Sequence, residues 1–298
     1  MSSRGLGMNH AWLQPEKPAE VLAALAEHGP EAKLLAGGTA MVLLLQQKLI
    51  APGVLVDLGR VSELDAIRLA EDGLHIGPMT RLRDIEWSRL VAESLPALAR
   101  ACGSVGNVRI RNQATLGGCL AEADYASDPP AVLLALDAEI RLEKAGGART
   151  LPIREFALGF YSTALQPDEM ITDIRIPPLP ASSRTAYLRF KARSSEDRPC
   201  LSVAVVADLE DRTCRELRIA LGAATEAPLR MPRIEALAKG RAFDDELISE
   251  VAEQYASQTE PIEDLRASAW YRKQMIQVYV RRALQELRDD DQRHGGYT

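Results

Sequence analysis

The chain has little from which to build a metal centre. Its four cysteines, Cys102, Cys119, Cys200 and Cys214, show no C-x-x-C spacing, and its four histidines, at positions 10, 28, 75 and 294, lie far apart. That excludes a local zinc or iron–sulfur motif, and buried apolar thiols in a reducing compartment are the reading such cysteines support. Basic stripes are missing too: the net charge is −6 and Lys and Arg are dispersed apart from short clusters such as Arg281-Arg282, so nothing tracks a nucleic-acid backbone. The longest apolar run near the N-terminus, Ala40 to Leu45, is far too short to span a bilayer, and Met1 to His10 lacks an apolar signal core. A cytoplasmic protein with no nucleic-acid partner and no integral membrane segment is expected. Neither G-x-G-x-x-G nor G-x-x-x-x-G-K-[ST] occurs, which removes the Rossmann and P-loop routes to a nucleotide.

What is present is a repeated glycine turn. Leu35-Ala36-Gly37-Gly38-Thr39-Ala40 and Ala114-Thr115-Leu116-Gly117-Gly118-Cys119 each contain a Gly-Gly pair with a hydroxyl residue close by. Each follows an apolar run that reads as a buried strand. A pair without Cβ atoms lets the backbone turn with positive φ and bring consecutive N–H groups to an anion, and each threonine adds a donor. A single Gly-Gly between strands is more often a plain hairpin. Two similar ones point to a diphosphate.

With 298 residues, 46% of them hydrophobic, the chain suits about two domains. The beginning reads α/β: a helix from Pro18 to Glu27, the first glycine turn, and a strand Val54 to Asp57. A strand from Gly73, a helix to Trp87 capped by Thr80, and a helix opened by Pro96 follow. Ser127-Asp128-Pro129-Pro130 reads as the start of a buried helix, and Ala145 to Ala148 as the turn of a hairpin joining Ile140–Glu143 to Arg149–Leu151. Ile176 to Ser183 has the Pro/Ser density of a linker. Beyond it, strands Ala186–Ala192, Leu201–Leu209 and Leu217–Gly222 precede helices Met231–Lys239, Asp244–Gln258 and Ala267–Leu287, the pattern of a small α+β domain.

Taken in order, Ala36-Gly37-Gly38-Thr39, Ile110-Arg111-Asn112-Gln113-Ala114-Thr115-Leu116-Gly117-Gly118, Ala126-Ser127-Asp128-Pro129-Pro130-Ala131, Thr163 to Glu169, Phe190-Lys191 with Asp197-Arg198-Pro199, and Tyr271-Arg272-Lys273 leading into Val280 to Leu284 resemble one family. It is the FAD-binding medium subunit of molybdenum hydroxylases of the carbon monoxide dehydrogenase and xanthine dehydrogenase type. The resemblance implies an α+β fold: a two-part FAD-binding domain of the vanillyl-alcohol-oxidase type over 1–178, split near 58–62, then a small C-terminal domain of antiparallel sheet and helices over 184–290. Residues 291–298 are expected to be a flexible tail.

It further implies an electron-transfer oxidoreductase subunit that takes electrons from partner iron–sulfur clusters through FAD to a terminal acceptor. No catalytic acid or base and no metal ligand is assigned within the chain, because the flavin carries the redox chemistry. The flavin contacts implied are Leu35, Ala36, Gly37, Gly38, Thr39, Ala40, Ala114, Thr115, Gly117, Gly118, Cys119, Ala123, Asp128, Ile171 and Lys191. Beside these stand plainer readings: Asp128 as a helix N-cap, Ile171 as simple core, Lys191 as a solvated strand end. A small iron–sulfur subunit and a large molybdenum subunit are the implied partners, in a dimer of heterotrimers. Cys119 departs from the Asn or Asp common in relatives, Tyr125 from proline, and Glu122 from a small or polar residue. The Cys119 departure supports an alternative, a non-catalytic nucleotide-binding or assembly subunit that keeps the fold but has lost tight flavin binding.

Overall fold

The computed structural model describes residues 10–192, 194 and 197–294. In the first subdomain, β1 (Ala11–Leu13), α1 (Pro18–His28), β2 (Ala32–Leu35), α2 (Met41–Gln46) and β3 (Val54–Asp57) form a parallel sheet of order β1-β3-β2. Proline at the first turn starts α1 and Gly29, at φ +49°, stops it. Its apolar stripe, Val21, Ala24 and Leu25, closes over the buried Val54 and Val56.

The second subdomain is an antiparallel sheet with helices on one face. It contains β4 (Ile67–Ala70), β5 (Gly73–Ile76), α3 (Leu82–Trp87), α4 (Arg89–Ser94), α5 (Pro96–Ser104), α6 (Val108–Arg111), α7 (Leu116–Glu122), α8 (Asp128–Ala135), β6 (Glu139–Lys144), β7 (Gly147–Pro152), the short pair β8 (Ala157–Gly159) and β9 (Ser162–Thr163), and β10 (Met170–Ile176). The main sheet has order β4-β5-β10-β6-β7. Its core-facing side chains, Leu74, Ile76, Ile140, Leu142 and Ile174, alternate with an outer row in which Arg68, His75 and Arg175 are in register. The helix expected after a Thr80 cap begins instead beyond Arg81 with no side-chain cap, because the Thr80 hydroxyl donates to Ala66 O.

The small domain comprises β11 (Ser183–Phe190), β12 (Leu201–Glu210), β13 (Thr213–Gly222) and β14 (Leu229–Arg230) in sequential antiparallel order, then α9 (Pro232–Glu235), α10 (Asp245–Gln258) and α11 (Ala269–His294). Strand β12 is buried at nine consecutive positions. One face, with Ala204 and Val206, joins the core of the second subdomain; the other, with Val203 and Val205, packs under α10 and α11. Helix α8 is buried along its full length between the two cores, so the linker from Pro177 to Ser182 joins bodies that share an interior. The single helix expected over Met231–Lys239 is cut short after Glu235, whose carboxylate turns inward to accept from Ile219 N and Arg230. At the C-terminus α11 runs to His294, past the expected helix end at Leu287 and the expected domain end at 290, since no glycine or proline intervenes before Gly295-Gly296; residues 295–298 of the expected tail lie outside the described residues, as do residues 1–9.

Candidate flavin site

The first glycine turn leaves β2 at Leu35 and reaches α2 through Ala40, with Gly38 at φ +72° making the reversal. Val42 N and Leu44 N already begin the helix by donating to Gly38 O and Ala40 O. The N–H groups of Gly37, Gly38, Thr39 and Ala40 meet no acceptor among the described residues, and all four residues are half-buried. Four consecutive amides in that condition need a partner from outside the chain.

The second turn is built differently: α6, capped by Asn107, precedes it in place of the expected buried strand. Thr115 N-caps α7, accepting from Gly118 N through its hydroxyl at 3.1 Å and from Cys119 N through its carbonyl at 3.0 Å. Leu116 N donates to Thr80 O and Gly117 N to Pro78 O. Every amide from Leu116 to Cys119 is therefore consumed by protein, which corrects the expectation that both turns offer main-chain N–H groups. What remains free is the Thr115 hydroxyl hydrogen. Gly117 is buried and must be glycine, because a Cβ there would sit 2.4 Å from Pro78 Cβ.

The two turns touch. A Cβ on Gly37 would lie 1.9 Å from Gln113 O and 3.0 Å from Ala114 Cα, and one on Gly118 would lie 3.8 Å from Ala36 Cβ. Residues 36–40 and 113–118, more than seventy positions apart in sequence, thus form one notch whose backbones approach closer than any side chain allows.

Asp128 opens α8 but does not cap it, and the cap residue Ser127 makes no capping side-chain bond either, its hydroxyl being bonded to Cys119. Its carboxylate accepts instead from the Tyr187 hydroxyl and pairs with Arg189 at 3.2 Å, all three side chains being buried. Burial pushes the Asp128 carboxyl up to about 6, against Arg189 and Tyr187, which favour the charged form. Arg189 is pinned further by Ser104 O and Asp197 O. Lys191, just beyond β11 and half-buried, is not a solvated strand end: burial and Arg189 push its ammonium down, and Asp128 opposes them. Tyr187 and Arg189 escaped the sequence reading, although Tyr187, Arg189 and Lys191 are spaced by two, the period that sets residues on one face of a strand.

Ala123, left-handed at φ +49°, ends α7, and its carbonyl accepts from Tyr161 N at 3.1 Å. Cys119 is half-buried, its thiol pushed up to about 12 by burial and then by Glu122, so it is no thiolate nucleophile. Ile171 pairs with Leu142 across β10 and β6 and is 4% exposed, inside the second subdomain's core. Among the described residues no group of three His, Cys, Asp or Glu side chains is placed to hold a metal ion, and no helix is long and apolar enough to cross a membrane.

The profile of the FAD binding domain in molybdopterin dehydrogenase matches residues 6–179, and that of the CO dehydrogenase flavoprotein C-terminal domain matches residues 186–287. This chain belongs to that flavoprotein family. It is 34% identical to the carbon monoxide dehydrogenase medium chain of Hydrogenophaga pseudoflava over 91% of its own length and 94% of the relative's. It is 30% identical to the glyceraldehyde dehydrogenase medium chain of Sulfolobus acidocaldarius over 93% and 98%. The solved carbon monoxide dehydrogenase of H. pseudoflava lacking the Mo-pyranopterin moiety superposes with a TM-score of 0.90, covering 94% of this chain and 97% of that one. The protein is accordingly the FAD-binding, electron-transferring medium subunit of a multi-subunit molybdenum hydroxylase, an oxidoreductase component. The notch fits that cofactor: its unpaired amides suit a diphosphate and its missing Cβ atoms admit one.

Proposed function

We propose that the first turn, Leu35 to Ala40, binds the FAD diphosphate through the free amides of residues 37–40 and the Thr39 hydroxyl. The second turn, Ala114 to Cys119 with Ala123, shapes the opposite wall and adds the Thr115 hydroxyl. Asp128, Ile171 and Lys191 complete the site, the Lys191 cation beside the Asp128–Arg189 pair favouring negative charge on a ligand that reaches it. Bound FAD supplies the redox chemistry, accepting electrons from iron–sulfur centres on a partner and releasing them to a terminal acceptor. The residues of this chain bind, orient and tune; none is required to carry a proton.

We further read the working assembly as a dimer of heterotrimers in the cytoplasm, each with a small iron–sulfur and a large molybdenum subunit. Four unpaired cysteines suit that reducing compartment. The observation that carries the proposal is the contact of the two glycine turns with residues 37–40 left as unpaired donors. The purified complex is expected to absorb near roughly 450 nm and to release FAD on denaturation. A colourless chain that takes up no added FAD would instead favour an assembly role.

A further inference from the structure

Tyr125 stands where the family pattern has proline, and the cofactor notch does not use it. Its surroundings give it a role. The phenol oxygen donates to Asp264 Oδ2 at 2.9 Å and accepts from Arg266 at 2.7 Å; its ring meets Phe160 edge-on at 5.1 Å; and its carbonyl accepts from Ala223 N at 3.0 Å. Asp264 is itself anchored by the fully buried Arg272 at 3.0 Å and by the N–H groups of Arg266 and Ala267. Although burial opposes it, those bonds hold the Asp264 carboxyl well below the usual carboxylate range. Arg272 in turn donates to Cys200 O at 2.7 Å. Next to Tyr125, Asp124 pairs with Arg198 at 2.7 Å. Two successive residues at the exit of α7 are thus each gripped by an arginine of the small domain, while the entrance of α7 is the second glycine turn. A seven-residue helix held at both ends transmits a shift of one end to the other.

We propose that Tyr125, through Asp264 and Arg266, is a positioning residue that fixes α7, and with it the second glycine turn, in the register needed to receive FAD. The inference rests on the flavin reading above. Tyr125→Phe keeps the ring and removes both phenol hydrogen bonds, and Arg266→Gln removes the cationic donor while leaving Asp264 bonded to Arg272. Flavin-depleted full-length chain titrated with FAD is expected to bind about fivefold more weakly in Tyr125→Phe and about threefold more weakly in Arg266→Gln, which leaves the Tyr125–Asp264 bond, with the double variant no worse than Tyr125→Phe, because that change already cuts both phenol bonds. FAD affinity within twofold of wild type, or losses that multiply, would overturn the inference whatever happens to the melting temperature of the apo-protein, which a purely structural role would lower by itself. If Tyr125→Phe does not fold, the Arg266→Gln titration decides alone. Failure of the wild-type chain to bind FAD removes the functional reading and this inference with it, whereas normal wild-type binding with unaffected variants removes only the inference.

Discussion

The two glycine turns share the sequence pattern and differ in what their backbones do. Residues 37–40 keep four amides without an acceptor among the described residues, whereas residues 116–119 donate all of theirs to Thr80, Pro78 and Thr115. The first is a binding surface made of main chain; the second is a wall, stiffened by its own cap and by the Pro78 ring against Gly117. Glycine serves a different purpose in each. At Gly38 it permits a left-handed backbone, at Gly37 and Gly117 it permits contact. A shared motif therefore does not mean a shared mechanism.

Alanine substitution separates the two uses most forcefully. Gly37→Ala drives a Cβ to 1.9 Å from a backbone carbonyl, which cannot be relieved by a side-chain rotation, so the turns must part. Overpacking of this kind costs about 1–3 kcal/mol or more, and FAD affinity is expected to fall at least about a hundredfold while the sheets persist by circular dichroism. Gly117→Ala pushes against Pro78 inside the core, so there the melting temperature should fall together with FAD affinity. Equal thermal losses in both variants would erase the distinction between surface and wall.

The wall also leans on buried chemistry that the first turn lacks. Asp128 opens α8, the next helix after α7, and burial pushes its carboxyl up to about 6 from its ordinary 3.8. Because the folded chain holds that proton more tightly than the unfolded chain, this group's stabilising contribution is fully present below about pH 4. It is lost as pH rises to about 6 and is constant above, a change of about 3 kcal/mol at 1.4 kcal/mol per unit. Asp128→Asn should remove that component. Denaturation midpoints at pH 4, 5, 6 and 7 are expected to show wild type losing ground to the variant across the window; a flat difference would mean the carboxylate stays ionised against Arg189 throughout.

Local features were legible in the sequence because their causes are local. Proline and glycine punctuate α1, the apolar run Val54 to Val56 reads as a strand, and the hairpin Glu139–Pro152 announces itself by its Gly-Gly turn. What was hidden depends on distant partners. Asp128 reads as a cap until Tyr187, fifty-nine residues away, claims its carboxylate. The amides of the second turn look free until Pro78 and Thr80 arrive from another loop, and the helix at Met231 looks continuous until Glu235 is drawn inward by Ile219, Arg230 and Tyr255. Loop-closure entropy opposes each of these meetings, and only the assembled core of α8 and β12 overcomes it.

The threonines beside the two turns provide the finest discrimination. Thr115 accepts from Gly118 N and so does two things at once, capping α7 and presenting a hydroxyl hydrogen, while Thr39 makes no side-chain bond within the described residues. Thr115→Val removes the cap without changing the shape of the side chain and should cost about 1 kcal/mol of stability, with FAD binding weakened by a similar factor of about five. Thr39→Val leaves every internal bond intact, so its melting temperature should match wild type and only FAD affinity should fall, by about three- to fivefold. Thr115→Ser restores the cap oxygen and should recover stability and binding together. If Thr39→Val destabilises the apo-protein as much as Thr115→Val, the first turn is structural after all; if Thr115→Val binds FAD like wild type, the wall contributes shape alone and the cofactor is held from one side.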